Sequence, residues 1–113
     1  MFKKILLVMA SCLVFCSAAY ATFNSGSTGT DGPFNPTASM EVVLPPDGVL
    51  NYTTVDIPAG VTVTFKKNAA NTPVFMLATG DVNIAGTIDV AGKGATSLVP
   101  GAGGPGGFAG GYG

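Results

Sequence analysis

Asp56, Asp81 and Asp89 fall on or beside the segments of this chain that have strand periodicity, and Glu41 stands where those segments begin. Two such carboxylates on neighbouring strands would have the makings of an acid and base pair, or of an oxygen site for calcium. A lyase or hydrolase built on them also needs cationic groups to stabilise transition-state charge. The chain has neither arginine nor histidine and offers only lysine. The aspartates read more simply as solvated outward positions, so no catalytic, metal-ligating or cofactor-binding residue is assigned. No cofactor is expected, and the chain is read as not being an enzyme; a longer parent protein is a separate question.

Three motifs invite chemistry and fail on context. Gly101-Ala102-Gly103-Gly104-Pro105-Gly106 satisfies G-x-G-x-x-G, but a dinucleotide site needs that turn to open a helix after a strand, and more Gly follows here. Gly92-Lys93-Gly94 is similar to the end of a phosphate loop, yet Thr87 stands where a glycine is wanted and Gly94 where a hydroxyl residue is wanted. Asn51-Tyr52-Thr53 fits a glycosylation sequon, discounted behind a signal peptide of bacterial type. Both cysteines, Cys12 and Cys16, lie within that peptide. A lipid anchor on either is disfavoured, because Phe15 is too large to precede Cys16 and too little apolar chain precedes Cys12.

The signal peptide is read over residues 1–21. Lys3 and Lys4 supply its positive start, Ile5 to Phe15 its apolar stretch, and Ala19-Tyr20-Ala21 its cleavage site. Cleavage before Thr22 leaves a chain without cysteine, with three lysines against six carboxylates and a net charge of −3. Nucleic-acid binding through phosphate neutralisation is therefore not expected, and no membrane span is expected after signal removal. The chain is placed outside the cell or at its surface.

The elements that would position any site are strands. Gly80, Gly86 and Gly92 recur every six residues, and between them Val82, Ile84, Ile88 and Val90 alternate with small or polar residues. Alternate side chains of a strand point to opposite faces, so these four are expected inward. Short strands with glycine corners predict a solenoid of stacked β-coils, centred on residues 80–92. The alternative is a small antiparallel sheet with a hairpin turn at Ala85-Gly86-Thr87. Upstream, Glu41 to Leu44, Val49 to Ile57, the alternating Val61, Val63 and Phe65, and Val74 to Ala78 read as further strands. Pro45-Pro46-Asp47-Gly48 and Pro58-Ala59-Gly60 read as the corners between them. Residues 22–39, rich in Gly, Ser, Thr and Asn, read as a disordered linker. Residues 40–94 form the solenoid-like segment, and 95–113 a glycine-rich flexible tail.

The run from Leu44 to Gly48, the stretch Asn51 to Phe65, Asn68 to Val74, Gly80 to Gly92 and the closing Gly-Gly-Pro-Gly-Gly-Phe together resemble the N-terminal portion of large uncharacterised secreted bacterial proteins. That resemblance covers nearly the whole chain after residue 21. It implies a right-handed parallel β-helix and a parent chain that continues for several hundred residues, and it brings no catalytic residue with it. The beat is also similar to the N-terminal β-helix of filamentous haemagglutinin-like adhesins, whose Asn-Pro-Asn-Gly signature is absent here.

The expectation is thus an all-β chain forming the first coils of a right-handed parallel β-helix. Its role is structural or adhesive, within a longer surface or extracellular protein. Two other roles stay open: the N-terminal part of a polysaccharide lyase or hydrolase whose catalytic residues lie beyond this chain, and a small self-assembling secreted protein. The partners that fit are a polysaccharide or cell surface, and a second copy bound through an open β edge.

Overall fold

The computed structural model describes residues 22–111, so the signal-peptide reading of 1–21, with Cys12 and Cys16, lies outside the described residues. Among the described residues there is no helix, and seven strands carry the fold: β1 (Gly32–Phe34), β2 (Met40–Val43), β3 (Val49–Ile57), β4 (Thr62–Lys66), β5 (Phe75–Ala78), β6 (Val82–Ile84) and β7 (Thr87–Asp89). They form two sheets. In the first, β1 and β5 flank β3, and β6 joins the far half of β3 beside β5. In the second, β4 lies between β2 and β7. Every pairing between these strands is parallel, and neither sheet closes into a barrel. The chain therefore passes alternately from one sheet to the other, laying each new strand beside the one from its previous passage.

The core sits between the middle strands. Leu50, Tyr52, Val55 and Ile57 from β3 and Val63 and Phe65 from β4 are buried with Phe34, Leu44 and Val61. In β3 the inward positions switch from even to odd at Thr53 and Thr54. The pairing with β1 shifts there as well, an extra residue that re-aims the rest of the strand. Phe34 stacks on Tyr52 with ring centroids 4.8 Å apart and planes 23° from parallel, a geometry favourable for aromatic pairs.

Corners allow the passages to stack closely. Gly48 N–H donates to the Pro45 carbonyl at 2.9 Å, and Val61 N–H to Pro58 at 3.2 Å, closing the two proline turns. At Gly86, between β6 and β7, a side chain would place its Cβ 2.3 Å from the Val61 carbonyl and 2.5 Å from that of Pro58. Only glycine lets this corner lie directly on the one before it.

Four expectations change. The antiparallel alternative is overturned, because β6 pairs with β3 and β7 with β4 in different sheets; Gly86 is a corner between sheets rather than a hairpin turn. The fold is not centred on residues 80–92: Val82, Ile84 and Val90 are exposed, while Ile57 and Val63 are fully buried. The middle strands have neighbours on both sides, and no strand pairs with the outer side of β6 or β7 among the described residues. The stretch 22–39 contains β1 and is tied along its length. Ser25 Oγ donates to the Ala78 carbonyl, Ser27 Oγ to Tyr52 at 2.8 Å, and Asp31 N–H to Asn51 at 2.8 Å. Finally, the glycine-rich segment bonds to itself, with Lys93 N–H donating to Ala102 at 2.7 Å and Gly110 N–H to Gly101 at 2.9 Å, and it docks on the loop between β4 and β5, where Gly106 N–H donates to Asn71 Oδ1 at 3.2 Å.

Candidate functional site

The second sheet presents its polar face outward. Glu41, Thr64 and Asp89 are register partners across β2, β4 and β7, so they form a row on one face with neighbours about 4.8 Å apart. Thr64 Oγ1 donates to the Met40 carbonyl at 3.4 Å. Glu41 and Asp89 therefore flank a hydroxyl, two strand spacings from one another. This separates them too widely to share a proton.

Beside this row lies a groove. One hollow of about 370 Å³ is bounded by Glu41, Lys66, Lys67 and Lys93 and by the backbone of Ala102 to Pro105. A second, of about 260 Å³, adds Thr64, Asp89 and Gly92 and shares Glu41, Lys93 and Pro105 with the first. Gly104 makes this approach possible, since a Cβ there would fall 2.0 Å from the Val90 carbonyl. The wall is fixed at its far end by Gly107, whose carbonyl accepts from Lys67 Nζ at 3.2 Å and from Asn71 Nδ2 at 2.8 Å. All the lysines after residue 21 thus line one groove.

The other carboxylates are elsewhere. Asp56 lies on the outward face of the first sheet, where it accepts from Asn83 Nδ2 at 3.4 Å. Asp81 borders a separate shallow hollow of about 660 Å³ with Phe23, Ser25 and Met76, and its carbonyl accepts from Val55 N–H. The candidate aspartates are therefore not brought together as an acid and base pair. Among the described residues no three of Asp, Glu, His or Cys gather closely enough to hold a metal ion, and no helix is long and apolar enough to cross a membrane. The G-x-G-x-x-G run opens no helix and serves instead as the groove wall.

Sequence reasoning missed the meeting of the lysines. Lys66 and Lys93 are 27 residues apart, two more than the 25-residue register of β4 with β7 seen at Thr62 and Thr87, so spacing alone does not pair them. Scans against protein-family models, curated proteins and solved structures return no match to this chain.

Proposed function

We propose that this is an exported structural or adhesive protein whose described residues are the first coils of a right-handed parallel β-helix. The observation that supports it most is the alternation of the chain between two sheets, with all strand pairs parallel through successive passages. Such stacking lets each coil bury the apolar side of its neighbour. It presents polar rows outward, a surface suited to contact rather than turnover.

Cysteine pairs test the winding. With Cys12 and Cys16 replaced by serine, Asp56→Cys with Asn83→Cys should oxidise to a disulfide in the first sheet, and Thr64→Cys with Asp89→Cys in the second. Adjacent parallel strands place such Cα atoms within bridging range. Ile84→Cys with Ile88→Cys, which a hairpin would join, should stay reduced. Linking of this last pair in place of the others would refute the helix. Export is tested by the intact mass of secreted protein, which should begin at Thr22.

A second reading, self-association, is favoured by the exposure of Val82 and Ile84 at inward register positions of the third passage. An unpaired strand edge of this kind is a template for another chain.

A further inference from the structure

We infer that the groove between the outer face of β2, β4 and β7 and the glycine-rich segment binds an acidic polysaccharide, one whose sugars carry carboxylates. This inference rests on the adhesive reading and names the ligand class of that surface.

The first argument is charge placement. Lys66, Lys67 and Lys93 carry all the cationic side chains after residue 21, in a chain otherwise acidic, and the fold draws them from two separate passages to one hollow. Lys67 is engaged by the Gly107 carbonyl. Lys66 and Lys93 are exposed and remain available to a ligand anion. They lie on successive passages, so a polymer with carboxylates recurring along its length meets one ammonium and then the next.

The second argument is the rest of the lining. Glu41, Thr64 and Asp89 share a hollow with Lys93, Glu41 also lines the hollow of all three lysines, and carboxylates accept hydrogen bonds from hydroxyl groups. A sugar acid has both parts, an anion for the lysines and vicinal hydroxyls for Glu41 and Asp89. A nucleic acid has its charge on every linkage and would set phosphates against those two carboxylates. It would also want aromatic platforms for its bases, and the one aromatic lining residue, Phe65, is buried in the core. Among the lining residues there is likewise no exposed ring on which a neutral glycan could stack.

The test is affinity electrophoresis of the full chain through gels containing polygalacturonate, alginate, dextran or single-stranded DNA, with thermal melts to confirm folding. Retardation by the two uronate polymers is expected, weakening as salt rises from low to physiological strength. Lys66→Gln with Lys93→Gln should reduce it about tenfold, in keeping with the loss of two exposed charge-assisted contacts. Asp56→Asn, on the other sheet, should leave it unchanged. Undiminished retardation of the folded double variant would remove the groove as the site while leaving adhesion intact. No retardation by any polymer would overturn both the groove and the adhesive reading. Equal retardation by dextran, or by DNA, would overturn the assignment to acidic sugars.

Discussion

Ile57 and Ile84 are register partners on adjacent strands, yet one is wholly buried and the other 46% exposed. Ile57→Ala should therefore cost about 2–5 kcal/mol, the usual range for truncating a buried isoleucine. Ile84→Ala should cost well under half of that, as read from chemical denaturation midpoints. The alternation of Val82 and Ile84 with Asp81 and Asn83 was legible in the sequence, but their burial was not. Alternation assigns a face to each residue, whereas burial also depends on the strand stacked beyond it. Tyr52 supplies a pH-dependent term. Burial, and secondarily the charge of Asp31, raise its pKa above the ordinary 10.0. Its contribution is then complete below about pH 10 and is lost as pH rises past that value and through the raised folded pKa, because the unfolded chain ionises first. Tyr52→Phe should remove this part of the alkaline fall in melting temperature.

Between residues and fold, the loop from Lys67 to Pro73 joins β4 to β5 and fastens to both neighbouring passages. Asn68 Nδ2 donates to the Pro45 carbonyl at 2.8 Å and to Thr72 Oγ1 at 2.7 Å, while its Oδ1 accepts from Thr72 N–H at 3.0 Å. On the other side Asn71, in the left-handed region at φ 50°, accepts from Gly106 N–H and donates to the Gly107 carbonyl. Asn68→Ala should lower global stability by about 1–3 kcal/mol, since it leaves partly buried partners unsatisfied. Asn71→Ala should instead speed hydrogen exchange at Gly106 with little change in the core amides. The polar residues and Pro73 of this stretch are loop chemistry, legible in the sequence. Which asparagine faced which passage was hidden, because that depends on the 25-residue separation of partners such as Thr62 and Thr87. β1 was hidden for a related reason: Pro33 and the surrounding small residues have weak strand propensity, and pairing with β3 overrides it.

At the scale of the whole molecule, the stack presents an apolar edge at the third passage, where Phe75, Val82 and Ile84 are all exposed. Sedimentation velocity of the full chain should show association that grows with protein concentration. Ile84→Lys should abolish it while lowering the melting temperature no more than Ile84→Ala does, since charge on an edge opposes strand addition; association that survives this change would place the contact elsewhere. The segment before β1 bears on how the fold would respond to a pull from its N-terminal side. From Ser25 at Ala78, past Ser27 at Tyr52, to Asp31 at Asn51, it crosses the strands on its way from the third passage back to the first. Tension applied at Thr22 meets these attachments one after another, so the segment peels like a zip, each hydrogen bond yielding alone at low force. Only when Asp31 is reached does pull act on β1 and its pairing with β3. A pull from the N-terminal side would therefore lengthen the chain by this segment before the stacked strands were strained.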